Sequence, residues 1–149
     1  VTAGELSMEV LHPDEEDYQS EPNAGSLVLS LSYREFDALL TGDVQGEGEE
    51  KLQELLQERP QDYEYLKTAH HGSKNSTPEE FLSIVRPRAA VISCSASSRH
   101  GHPHQELLER LEAAAADIYV TADTGALTCV TDGYAYTIRG FRATKVRMP

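Results

Sequence analysis

Cysteine is scarce in this sequence: two among 149 residues, Cys94 and Cys129. Two thiols make no disulfide framework, and a single disulfide or a metal site is the alternative to two isolated thiols. Each lies in a strand-like run, Val91-Ile-Ser-Cys and Leu127-Thr-Cys-Val, and both read as small buried thiols. Long apolar runs are missing too. The longest are of the size of Ala89–Ile92, far short of the roughly 18 residues that cross a bilayer. No charged n-region with an apolar h-region is visible, so no signal peptide is read here. Positive charge is the third shortage. Lys and Arg number 13 against 25 Asp and Glu, a net of −12. A surface that acidic repels phosphate backbones at long range, which argues against a simple electrostatic nucleic-acid binder. A metal-dependent enzyme acting on phosphate stays open, because a bound cation inverts the local field. The charge is uneven: seven acids lie between Glu5 and Glu21, whereas Arg139, Arg142, Lys145 and Arg147 make the end basic. The basic end reads as a solvated terminus.

What remains is ordinary for one globular domain, at 39% hydrophobic and 26% charged residues. It excludes a disordered tail, a collagen-like chain and a coiled coil. No internal repeat or low-complexity segment is present. Leu6–Leu11 reads as a short strand, and Asp14–Gly25 as an acidic surface loop. The alternation of Ser26–Ser32 and Phe36–Thr41 predicts an antiparallel hairpin turning at Tyr33–Glu35. Leu52, Leu55 and Leu56 share one face of a helix over Glu47–Arg59, which Pro60 stops. Tyr63–Ala69 is strand-like. Thr77 as N-cap, Pro78 at the first position and Glu80 closing a capping box predict the next helix. Ala89–Ser93 is a buried strand, and a polar loop then leads to a third helix from Pro103 to about Ala115. Ile118–Val120, Ala126–Val130 and Tyr134–Arg139 close the chain as strands, with Asp132-Gly133 as a two-residue hairpin signal. Strands alternating with helices predict an α/β layered domain with a mixed sheet.

The chemistry-bearing residues follow strand ends, where α/β folds gather ligands. Asp43 follows one, His70 and His71 a second, and His100, His102 and His104 a third. Asp and His suit zinc, manganese or iron. Thr41-Gly42-Asp43 taken alone reads equally as a turn, and His100 and His104 read as surface residues. Pro103 at the first helical position places His102 at the N-cap, facing the same cleft as Asp43 and His71, with His104 pointing to solvent.

Leu11-His-Pro, Ser26–Leu31, Leu40-Thr-Gly-Asp43, Leu66-Lys-Thr-Ala-His-His-Gly-Ser73, Ser93, Gly101-His-Pro103 and Asp123–Gly125 together resemble a known pattern. Thr-Gly-Asp is followed by Ala-His-His-Gly-Ser about 27 residues later, and Gly-His-Pro comes about 30 further on. The chain resembles the C-terminal half of the metallo-β-lactamase-like domain of the ComEC family of DNA-uptake competence proteins, over roughly Leu6 to Arg139. That resemblance implies half of an αββα sandwich spanning 1–149, with 1–5 and 141–149 as tails. It implies a dinuclear zinc or manganese centre in the complete domain, bridged by Asp43 and ligated by His71 or His70, with His71 favoured. His70 and His102 then become catalytic groups lining the pocket. The implied reaction is phosphodiester hydrolysis, with one strand of DNA or another phosphodiester as substrate.

The family's H-x-H-x-D-H motif is absent; the histidines here are 12, 70, 71, 100, 102 and 104. The expectation is therefore a fragment or a degraded member, inactive alone and holding metal weakly or not at all. Its partner would be the remainder of the parent protein, a bacterial cell-membrane protein, with this part soluble and extracytoplasmic. An exposed sheet face predicts a homo-oligomer of the isolated chain. The competing readings are a non-catalytic module of the uptake machinery, a free-standing metallo-hydrolase of the superfamily, and a small α/β protein using His70, His71 and His102 in acid–base chemistry. The last lacks a G-x-S-x-G or comparable nucleophile elbow.

Overall fold

The protein, as a computed structural model, is described over residues 1–14 and 22–142. Most of the expected acidic loop, together with Lys145 and Arg147, lies outside those residues. The strands are β1 (Thr2–Ala3), β2 (Leu6–His12), β3 (Val28–Tyr33), β4 (Phe36–Leu40), β5 (Tyr65–Lys67), β6 (Ala89–Ile92) and β7 (Asp117–Val120). They form one sheet in the order β1-β2-β3-β4-β5-β6-β7, antiparallel up to β4 and parallel from β4 to β7. Each parallel step crosses over through a helix: α1 (Glu47–Glu58), α2 (Glu79–Val85) and α3 (Gln105–Ala113). A helical turn, α4 (Thr121–Thr124), follows β7, and β8 (Leu127–Thr131) pairs with β9 (Tyr136–Gly140) as a separate hairpin. The α/β class and the mixed sheet are as the sequence predicts. Part of the expected N-terminal tail forms β1.

Register explains the layering. Leu39, Leu66, Ala90 and Ile118 are successive Cα partners across β4 to β7 and are fully buried. They meet Leu52 and Leu56 of α1, Phe81, Leu82 and Val85 of α2, and Leu107, Leu108 and Leu111 of α3 in a single core. The three helices therefore cover one face. Ile118 lies in that core away from the loops that carry the histidines. Ile118→Val is expected to cost about 0.5–1.5 kcal/mol by urea denaturation, the range for removing one buried methylene.

The other face carries Leu31, Phe36 and Ala38, partly covered by the β8–β9 hairpin, whose Tyr136 ring lies 5.5 Å from that of Phe36. Arg34 ties the hairpin loop down by donating to the Asp132 carbonyl at 3.0 Å. Leu6, Leu31, Tyr33, Phe36, Ala38 and Thr131 still line an open apolar hollow of about 300 Å³.

Two helix starts differ from the sequence expectation. Thr77 caps nothing: its φ is +54°, its hydroxyl accepts the Ala69 N–H at 3.4 Å, and Pro78 is the N-cap of α2. The N-cap of α3 is His104, two residues beyond the expected His102; the His102–Pro103 peptide is cis. The loop between β8 and β9 holds four residues, with Asp132 Oδ1 accepting the N–H groups of Tyr134 and Ala135. Both cysteines are free and half-buried, and burial pushes their thiols above the usual range.

Candidate functional site

Asp43, His70, His71 and His102 all lie beyond the C-terminal ends of three adjacent parallel strands, β4, β5 and β6. Asp43 is presented by a turn in which Val44 N–H reaches the Thr41 carbonyl at 3.1 Å. Gly42 sits at φ +55°, where a Cβ would stand 2.7 Å from the Leu27 carbonyl oxygen, so a side chain has no room. The Gly42 carbonyl accepts from His70 N–H at 3.2 Å and from Lys67 Nζ at 2.7 Å. One oxygen thus ties the Asp43 turn to the histidine loop. Burial pulls the Lys67 ammonium below its usual range, and the nearby Asp43 charge opposes that pull.

His70–Gly72 is a tight turn with φ of +46° at His70 and +56° at His71. His71 Nδ1 lies 2.8 Å from the Ser93 carbonyl oxygen. A carbonyl only accepts, so Nδ1 carries the hydrogen and a neutral ring keeps its lone pair on Nε2. That Nε2 is 3.3 Å from Asp43 Oδ2. Two acceptors this close call for a proton or a cation between them. Two ligands held at about 2.0 Å on a tetrahedral zinc stand about 3.3 Å apart, and both side chains are open to solvent, 49% and 38% exposed. The pair fits as two donors of one metal's shell. Among the described residues no group of three or more His, Cys, Asp or Glu could hold a metal, so the fit is to part of a shell.

His70 Nδ1 is 2.6 Å from Gln45 Oε1, an acceptor, which leaves Nε2 of His70 unprotonated in the neutral ring. His102 is half-buried among the other histidines. Its ring centroid lies 5.7 Å from His70, 6.5 Å from His71 and 4.8 Å from His104. Burial, then the neighbouring imidazoles His104, His70, His100 and His71, hold it below the usual imidazole range. His102 therefore shares the side of Asp43 and His71. His104 does not point to solvent: it is half-buried, and its Nδ1 accepts the Lys74 N–H at 3.2 Å. His100 is exposed. Asp123 is exposed on α4, beyond the end of β7.

No family model matches the chain. Two proteins do. It is 36% identical over 123 residues, 83% of its length, to ComE operon protein 3 of Bacillus subtilis. It is 34% identical over 103 residues, 69% of its length, to Recombination protein 2 of Haemophilus influenzae. The chain spans 16% and 13% of the lengths of these relatives. The matches support a relation to the ComEC-type competence proteins whose motifs the sequence resembles.

Three polar residues around the site escaped the sequence reading. Lys67 was hidden in the strand-like run Tyr63–Ala69, although a lysine at the end of a buried strand is a signal. Glu49 shares the apolar stripe of Leu52 and Leu56 at helical spacing, and a carboxylate there is the clearest missed sign. Arg110, on α3, carries no such mark.

Proposed function

We propose that this chain is the C-terminal half of a metallo-β-lactamase-like hydrolase domain serving DNA uptake, acting on one strand of DNA or another phosphodiester. The single observation that carries this reading is the Asp43–His71 pair, two acceptors 3.3 Å apart at the ends of adjacent strands. Asp43 and His71 would hold zinc or manganese, which supplies Lewis-acid activation of water and of phosphoryl oxygens. His102, whose imidazole burial and the neighbouring histidines hold below the usual range, would accept a proton, and His70 would present its Nε2 beside it. The open apolar hollow on the sheet supports packing against a further layer from the remainder of a longer polypeptide. No helix among the described residues is long and apolar enough to cross a membrane. The part proposed here is a soluble, extracytoplasmic portion of a membrane protein. A shell of two donors also supports a second reading, a binding module of the same machinery.

Elemental analysis of the purified chain after dialysis is expected to find zinc and manganese below one equivalent. Added zinc is expected to shift the His71 Nε2 and Asp43 carboxylate resonances together, and Asp43→Ala to weaken that response at least tenfold. The chain alone is expected to show no metal-dependent cleavage of single-stranded DNA. Zinc that perturbs neither residue removes the metal-site reading and leaves the binding module.

A further inference from the structure

We propose that Glu49 and Arg110 are positioning residues for His71, clamping residues 73–77 from two helices so that His71 Nε2 stays aimed at Asp43. The segment needs a clamp. His70, His71 and Thr77 are three non-glycine residues within eight positions, at φ of +46°, +56° and +54°. Such backbone persists only where its surroundings over-determine it.

The ties converge on Thr77. Its N–H donates to Glu49 Oε1 at 2.6 Å, and its carbonyl accepts from Arg110 Nε at 3.1 Å. Arg110 Nη2 donates to the Ser76 carbonyl at 2.9 Å and the Lys74 carbonyl at 3.1 Å. From there the network runs back to the histidines. Ser76 Oγ donates to the carbonyls of Ser73 and Ala69 at 3.2 and 3.3 Å. The Ala69 N–H reaches Thr77 Oγ1, and Ser73 N–H reaches the His70 carbonyl at 3.0 Å. Glu49 is 4% exposed, so its bond to Thr77 is dry and short. A carboxylate buried on an apolar helix face is costly to keep, and here it anchors the segment beside the two histidines. Arg110 supplies a planar fork that meets three carbonyls at once, which lysine cannot imitate.

The readout is the His71 ring itself, which makes the test independent of the hydrolase reading. The 149-residue chain, labelled with ¹⁵N-histidine, is examined at pH 8, where an ordinary imidazole is neutral. Wild-type His71 is expected in the Nδ1–H form that the Ser93 carbonyl requires. Glu49→Ala and Arg110→Ala are each expected to lower the ratio of Nδ1–H to Nε2–H at least threefold. Glu49→Gln, which keeps an acceptor for the Thr77 N–H, is expected to restore it. Ile118→Val, which loosens the core elsewhere, is expected to leave it unchanged. Should Glu49→Ala not fold, Arg110→Ala and Glu49→Gln carry the test. A wild-type ratio in the folded alanine variants overturns the proposal. So does an equal shift in Ile118→Val, which would assign the effect to general stability. Absence of a zinc response would remove the metal reading and leave this result standing.

Discussion

Replacing Glu49 with glutamine is expected to remove about 3 kcal/mol of destabilisation that the wild-type chain suffers at alkaline pH. Burial lifts the Glu49 carboxyl from 4.5 to about 7, while the Thr77 N–H and Arg110 pull it down by less. Between those two values the folded chain keeps a proton that the unfolded chain has released. Stability from this group is therefore full below pH 4.5, falls as pH rises through the window, and is lost above about 7. The whole window amounts to about 3 kcal/mol at 1.36 kcal/mol for each tenfold change. Glutamine has no proton to lose and still offers Thr77 an acceptor. Urea denaturation from pH 5.5 to 8.5, clear of the isoelectric point near 4.8, is the measurement. The stability difference between variant and wild type is expected to widen by about 2 kcal/mol over that range, other groups cancelling. Parallel curves would show that Glu49 does not titrate in this window.

Gly72→Ala is expected to destabilise the chain by about 2–4 kcal/mol, combining the left-handed backbone penalty with overpacking. Gly72 has φ +86°, and an added Cβ would lie 2.9 Å from both Ile92 Cγ2 and Pro103 Cβ. None of these neighbours is a loose side-chain end. The Gly72 carbonyl also accepts the His104 N–H at 2.9 Å, so movement here carries the start of α3 with it. The variant is expected to separate His71 from His102 as well as to lower the urea midpoint. An unchanged midpoint would mean that the turn relaxes freely and that the two histidine loops are not packed against each other.

Much of this was legible because period and punctuation are local. The β3–β4 hairpin, α1 and the buried strand β6 follow from alternation, from the leucine stripe and from an apolar run. The gathering of Asp43, His71 and His102 follows from one topological fact, that parallel strand ends share an edge of the sheet. What stayed hidden was decided across the chain. Thr77 has the right chemistry for an N-cap, yet its backbone is turned by ties from α1 and α3 and its hydroxyl is spent on Ala69. His71 shows nothing in its neighbours about which nitrogen bears the hydrogen, because the Ser93 carbonyl, 22 residues away, sets it. His104 looked like a surface residue, and only the fold brings the Lys74 N–H to its ring.

Strand order in the main sheet repeats strand order in the chain. Each strand therefore docks beside the one made just before it, and no pairing in this sheet waits for a distant segment. During synthesis such a sheet can grow outward from its first hairpin, adding one crossover at a time. Each parallel step closes a loop filled by its own crossover helix, and closure entropy grows only slowly with loop length. Asp43 emerges first, His71 joins after one crossover and His102 lies past the next strand. The members of the cluster emerge in the order of the strands that present them, and the β8–β9 hairpin, which partly covers the other face, follows β7 in the chain.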